Sequence, residues 1–281
     1  MIISVASGKG GTGKTTIATN LAMSMGRSVN LIDCDVEEPN AHLFIKPESI
    51  TRTIATTFVP RIDTERCTGC RACAELCQFN ALTVVGGCAM VFAELCHSCR
   101  GCYEICAEAA VREDFRELGE MIRGYRDQLR LTYGSLRVGE AMAPPLIKQV
   151  IAAGKDDNPT IIDAPPGTSC PMITAVNQSD FVLFVSEPTP FGLHDLTLAH
   201  ETVKNLGLPC GLVINRCDIG DEGLRNYAHE QNLPVLLEIP FDRAIAEAYA
   251  RGILLIDHDP SWRPRFLTLY ADISAMMSQP A

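Results

Sequence analysis

Short apolar runs alternate with longer amphipathic stretches along most of this chain. Ile2 to Ala6, Val29 to Asp33, Thr160 to Asp163, Phe181 to Ser186, Cys210 to Asn215 and Val235 to Ile239 are mostly apolar, with little two-residue alternation. That is the pattern of strands buried on both faces of a parallel sheet. Between them Lys14 to Met25, Leu146 to Ala153 and Gly192 to Leu206 have helical composition, and Gly26 offers the first of these a C-cap. Asp242 is placed to N-cap a helix through Tyr249. Arg265 to Met277 predicts a terminal helix with Phe266, Leu269, Tyr270, Ile273 and Met277 on one side. The alternation predicts an α/β fold with a doubly wound, mostly parallel sheet.

The pattern breaks near Pro60 and resumes after Arg112. Thr51 to Val59 predicts one strand before the break, and Leu118 to Ile122 and Leu129 to Val138 predict strands after it. Inside it, Ala81 to Val85 and Ala89 to Phe92 flank Gly86-Gly87 as a hairpin. The expected organisation is therefore 1–59 and 113–281 as two parts of one domain, with 60–112 as a small α+β insertion.

The chemistry sits where strands end. Ser7 to Thr16 reads Ser-Gly-Lys-Gly-Gly-Thr-Gly-Lys-Thr-Thr directly after the first strand and opens the first helix. Gly8, Gly13, Lys14 and Thr15 satisfy G-x-x-x-x-G-K-[ST], a loop whose backbone N–H groups cradle phosphates. Gly10 and Gly11 free the loop of Cβ atoms, and the helix start adds its positive end. Lys14 is expected on the β- and γ-phosphates of ATP and the Thr15 hydroxyl on Mg²⁺. Lys9 is extra to that motif. Asp33 and Asp35, separated by Cys34, lie at the carboxyl end of the second strand, near the phosphates. Asp163 ends another strand in the position that holds Mg²⁺ through water.

Thirteen cysteines, in a chain expected to be cytoplasmic, point to metal rather than disulfides. Eight form two sets spaced C-x₂-C-x₂-C-x₃-C: Cys67, Cys70, Cys73 and Cys77, repeated 29 residues later as Cys96, Cys99, Cys102 and Cys106. Zinc is the competing reading, but its sites are usually built from two C-x₂-C pairs, which leaves these sets over-supplied. Cys88 is surplus. His194 and His200 lack companions at metal-ligand spacing.

A net charge of −10 argues against nucleic acid as the main partner. No apolar run approaches the ~20 residues of a membrane span. The first strand begins at Ile2, so no signal segment is expected.

The stretch Lys9-Gly-Gly-Thr-Gly-Lys14-Thr-Thr resembles the deviant Walker A loop of the MinD/ParA/Mrp and nitrogenase-iron-protein superfamily. The resemblance implies an ATP-sandwich dimer, with itself or a related ATPase, in which Lys9 reaches the partner's nucleotide. It implies that Gly8 to Thr16, including Thr12 and Thr16, wrap the phosphates. Asp35 activates the attacking water, Asp33 supports the Mg²⁺ shell, and Asn215-Arg216 reads the adenine. Asp163-Ala-Pro-Pro-Gly-Thr168 resembles a second switch of the Mrp branch.

The cysteine spacing resembles that of bacterial two-cluster ferredoxins, where the fourth cysteine of each set serves the other cluster. That implies one 4Fe-4S cluster on Cys67, Cys70, Cys73 and Cys106 and a second on Cys96, Cys99, Cys102 and Cys77. Gln78 and Ala107 stand where ferredoxins usually carry proline. Cys170, with Cys34, invites comparison with the intersubunit cluster of the nitrogenase iron protein; an inert Cys170 is the simpler reading. The combined expectation is an ATP-hydrolysing switch that passes electrons to a metalloprotein partner. Cluster assembly, as in the Mrp branch, and MinD-like positioning are the alternatives.

Overall fold

The computed structural model describes residues 1–278. In chain order the strands are β1 (Ile2–Ala6), β2 (Val29–Asp33), β3 (Glu48–Ile62), β4 (Leu82–Val85), β5 (Cys88–Val91), β6 (Val111–Arg126), β7 (Leu129–Leu136), β8 (Thr160–Asp163), β9 (Phe181–Ser186), β10 (Cys210–Asn215) and β11 (Val235–Ile239). The helices are α1 (Lys14–Ser24), α2 (Ala41–Ile45), α3 (Ala72–Leu76), α4 (Gly101–Glu104), α5 (Pro144–Gly154), α6 (Cys170–Val176), α7 (Pro190–Asn205), α8 (Gly223–Glu230), α9 (Arg243–Ala250), α10 (Leu255–His258) and α11 (Trp262–Ser278).

Nine strands form one sheet in the order β11-β10-β9-β1-β8-β2-β7-β6-β3. β1 pairs in parallel with β8 and β9, β2 with β7 and β8, and β10 with β9 and β11. The mostly parallel, doubly wound sheet expected from the alternating runs is therefore present. Neighbouring β1 and β8 place the loop after Ala6 beside Asp163, at the carboxyl ends where such sheets bind ligands.

The chain divides into two compact units. The larger comprises, of the described residues, 1–52, 121–135 and 147–278. Its core joins Ile3 and Val5 of β1, Ile17 and Leu21 of α1, Leu31 of β2, Phe181 and Leu183 of β9, and Phe266, Leu269 and Ile273 of α11. These side chains are almost wholly removed from water, and burying each stabilises the fold by about 1.5–3 kcal/mol. α11 uses the face expected from its spacing, except that Met277 at its end is exposed. Asp242 caps α9 by accepting from Ala244 N. None of the described helices is long and apolar enough to cross a membrane.

The smaller unit comprises residues 53–120 and 136–146, taking in more chain than the block 60–112. Part of the difference lies in β3 and β6, which run to 15 and 16 residues where shorter strands were expected, and the rest in the segment 136–146 after β7. The first seven residues of β3 are exposed, so backbone pairing rather than an apolar face carries them. β4 and β5 form the expected hairpin, Leu82 opposite Val91 and Val85 opposite Cys88. Gly86 and Gly87 both have positive φ, 61° and 78°, as a tight two-residue hairpin turn requires.

Candidate functional site

In the larger unit the glycine-rich loop, the acids and the loop after β10 surround a cavity of ≈350 Å³. Gly10, Gly11, Gly13, Lys14, Thr15 and Thr16 line one side; Asp35, Glu38 and Asn40 another; Asn215, Arg216, Phe241, Asp242 and Tyr249 a third. Gly8 makes a close approach: a Cβ there would stand 2.1 Å from the Asp195 carbonyl oxygen on α7. Gly13 has φ +99°, a left-handed conformation disfavoured for side-chain-bearing residues. Directly after it α1 begins, and Ile17 N bonds to Gly13 O at 3.0 Å. Lys14 is buried. The loop's N–H groups, a helix start and a buried ammonium suit a polyanion.

The acids divide the work differently from one another. Thr15 Oγ1 donates to Asp163 Oδ2 at 2.5 Å, and the buried Asp163 Oδ1 has no hydrogen-bond partner among the described residues. A carboxylate with one oxygen free beside the loop fits a cation or its water. Asp33 instead turns both oxygens to the chain after it: Oδ1 accepts from Asp35 N, and Oδ2 from Asn40 N and Ala41 N, each at 3.0 Å. Burial, then the Asp163 charge, pushes Asp33 well above the usual carboxylate range. Burial also raises Asp163, against the pull of Lys14 and the Thr15 hydroxyl. Asp35 is raised by burial and lowered again by Lys14.

Asn215 donates through Nδ2 to Thr12 O at 2.8 Å, and its Oδ1 accepts from Arg216 N at 3.0 Å. The amide thus braces the phosphate loop from within the cavity wall. Glu187, which the sequence reading passed over, faces both Lys9 (3.9 Å) and Arg216 (3.0 Å). Its signal was available: it directly follows the apolar run of β9, as Asp33 and Asp163 end theirs. Cys34 is fully buried, its thiol raised by burial and by the Asp33, Asp163 and Asp35 charges. Cys170 is exposed at the start of α6, a helix the sequence reading did not anticipate. The two cysteines do not form a matched pair of surface ligands.

In the smaller unit Cys67, Cys70, Cys73 and Cys106 line one cavity of ≈130 Å³. Cys96 and Cys102 are buried, and Cys77 packs against the clusters that hold each of them; burial, ahead of the neighbouring thiols, raises both. The backbone repeats with the sequence. Gly69 and Ser98, Arg71 and Arg100, and Asn80 and Ala109 all have positive φ at the same 29-residue offset. Ala81 N donates to Cys77 Sγ and Ala110 N to Cys106 Sγ, each at 3.3 Å, while Ala89 N donates to Cys67 Sγ and Ser98 N to Cys96 Sγ, each at 3.4 Å. N–H groups aimed at sulfur favour the thiolate over the thiol. Among the described residues no three His, Cys, Asp or Glu side chains converge as single-ion ligands; the first cysteine set instead stands apart around a cavity.

A family model described as the CobQ/CobB/MinD/ParA nucleotide-binding domain matches residues 3–256. The chain is 31% identical over 276 residues to an uncharacterised protein of Methanocaldococcus jannaschii, covering 96% of this chain and 95% of that one. It is 26% identical over 282 residues to an iron-sulfur cluster carrier protein of Pyrococcus furiosus, covering 90% and 78%. The septum site-determining protein MinD of Pyrococcus horikoshii, solved with Mg-ADP, has a similar fold, with a TM-score of 0.60 and 20% identity over 99% of each chain. With the phosphate-loop geometry above, these likenesses establish that the chain belongs to the CobQ/CobB/MinD/ParA family of P-loop nucleotide-binding proteins.

Proposed function

We propose that this protein is a Mg²⁺-dependent ATPase that closes as a dimer on ATP and carries two 4Fe-4S clusters for electron transfer to a partner metalloprotein. The nucleotide half rests on the cavity: Gly8 to Thr16 and Lys14 hold the phosphates, Thr15 and Asp163 hold Mg²⁺, Asp35 orients water, and Asn215 and Arg216 border the base. Asp33, committed to three backbone N–H groups, supports the metal by fixing the loop that bears Asp35.

The observation that carries the redox half is the cysteine arrangement. Cys106 joins Cys67, Cys70 and Cys73 around one cavity, and Cys77 packs against the small cluster that holds Cys96. Both placements support an exchange of fourth ligands between the repeats, as in two-cluster ferredoxins. When bound, the clusters would supply one-electron redox chemistry; the chain supplies thiolates and N–H donors.

A second reading, delivery of clusters to other proteins, is favoured by the relatives named iron-sulfur cluster carrier protein. Four cysteines around each cluster favour retention over release. The deciding experiment is an EPR redox titration of anaerobically prepared protein with no nucleotide, with ADP and with a non-hydrolysable ATP analogue. A nucleotide-dependent shift near 59 mV, tenfold in a one-electron equilibrium, is expected. Unshifted potentials, together with cluster transfer to an apo-acceptor, would move the assignment to delivery.

A further inference from the structure

Lys9 belongs to the phosphate loop by sequence and to Glu187 by contact. Gly10 and Gly11, directly after it, line the nucleotide cavity, yet the Lys9 ammonium stands 3.9 Å from Glu187 Oε2. The Glu187 side chain is only 10% exposed, and its Oε1 lies 3.0 Å from Arg216 Nη1. That oxygen is buried and makes no aligned hydrogen bond among the described residues. Charge rather than a directed bond therefore offsets its removal from water.

Glu187 and Arg216 are held in place by their backbones. The Glu187 carbonyl accepts from Thr189 N at 2.8 Å as the chain turns from β9 into α7, and Gly192 approaches the same carbonyl too closely to carry a Cβ. Arg216 follows β10 in a left-handed conformation, φ 53°, with its N–H donating to Asn215 Oδ1 at 3.0 Å. Gly220, at φ +115°, abuts the Pro188 carbonyl, and Asp221 N donates to that carbonyl at 3.2 Å. The loops that carry Glu187 and Arg216 are thus pinned together. The Lys9 backbone is fixed as well, since Ser7 Oγ donates to Lys9 O at 2.6 Å. Its side chain is different: it is 33% exposed, and its contact with Glu187 is the longer of the two. Lys9 is the member that can leave.

We propose that Glu187 is a positioning residue that holds Lys9 in reserve in the nucleotide-free protein and yields it to a bound nucleoside triphosphate. This rests on the ATPase reading of the cavity. A triphosphate brings more negative charge to the loop than one carboxylate offers, and in a half-buried site that difference decides where the ammonium goes. A diphosphate, with one phosphoryl group fewer, competes less well for it. Arg216 stays on Glu187 in either state, so the departure of Lys9 never leaves the carboxylate buried without a cation.

The test is calorimetric titration of the full-length protein, in Mg²⁺, with a non-hydrolysable ATP analogue and with ADP. Glu187→Gln is expected to bind the analogue about two- to fivefold more tightly, the scale of one partly exposed ion pair, with a smaller gain for ADP. In a Lys9→Ala background the same substitution is expected to lose that gain, a coupling that a purely structural role does not produce. Glu187→Asp, which keeps the charge but shortens its reach, is expected to loosen the longer Lys9 contact first and to shift affinity in the same direction; it serves if Glu187→Gln fails to fold. Analogue binding no tighter than wild type, an equal gain for ADP, or a gain that survives without Lys9 would each overturn the proposal. Wild-type protein that binds neither nucleotide would overturn the ATPase reading itself, whereas wild-type binding with no effect at Glu187 overturns only this inference.

Discussion

Thr15 Oγ1 donates to Asp163 Oδ2 at 2.5 Å, tying the start of α1 to the end of β8. Asp163 is left with a second, unpartnered oxygen among the described residues and with Asp33 as a buried neighbour of like charge. Carboxyls whose folded pKa values are raised stabilise the fold fully below the unfolded value, near pH 4, and lose that contribution as pH rises toward about 8. The Mg²⁺-free protein is therefore expected to melt at lower temperature as pH rises across this window. Asp163→Asn should flatten that dependence and raise stability at pH 8 by about 0.5–2 kcal/mol, while abolishing Mg²⁺-dependent ATP hydrolysis. Melting curves at several pH values, without nucleotide, decide the matter; an unchanged slope in Asp163→Asn would count against the buried pair.

Lys14→Ala removes the buried ammonium that Asp35 and Asp163 both feel. ATP turnover is expected to fall by about 10²–10³-fold, the usual scale for losing one preorganised charge donor. A steady-state phosphate-release assay reads this directly, and retained turnover would refute the placement of the phosphates.

Gly8→Ala drives a methyl into the Asp195 carbonyl at 2.1 Å, a contact with backbone that no side-chain rotation relieves. Overpacking of this kind costs roughly 1–3 kcal/mol. Denaturant unfolding should show that loss, with weakened nucleotide affinity as the loop and α7 move apart.

Asn215→Ala deletes the 2.8 Å bond to Thr12 O. The expected loss is about 1 kcal/mol of stability, with weaker ATP binding by calorimetry. If Asn215 acted on the base alone, binding would weaken and the melting temperature would stay where it is.

Cys73→Ser removes one thiolate from the cavity shared with Cys67, Cys70 and Cys106. On the two-cluster reading proposed above, about half of the bound iron should be lost. Nucleotide affinity should persist. Iron and sulfide analysis beside nucleotide titration tests both expectations in one preparation.

How much of this was legible in the chain depends on how the information is stored. The phosphate loop and its flanking strand and helix were readable because spacing alone forces glycine and lysine into place. The buried strands β1, β2, β8, β9 and β10 were readable because burial on both faces leaves an unbroken apolar run. The lengths of β3 and β6 were not. Their outer parts, such as Glu48 to Ile54 and Arg112 to Phe115, are polar or exposed, and backbone pairing leaves no trace in composition. Asp33 was correctly read as an acid near the phosphates, yet nothing in the sequence says that both its oxygens turn to the backbone. Glu140 looked like an ordinary acid between loop residues. Only the fold shows that Arg116, 24 residues earlier, makes it a buried anion.

The three bonds to Asp33 set the size of any message the phosphates can send. The segment from Cys34 to Asn40 is tethered near both ends by one carboxylate, and Val36 within it is itself buried. Only the crown, Glu37 and Glu38, is exposed. Unfurling this hoop would break those three hydrogen bonds, so tilting about its tethers costs less. A receiver that reads nucleotide state through this segment must therefore detect a small reorientation of two adjacent negative charges rather than the appearance of a new surface.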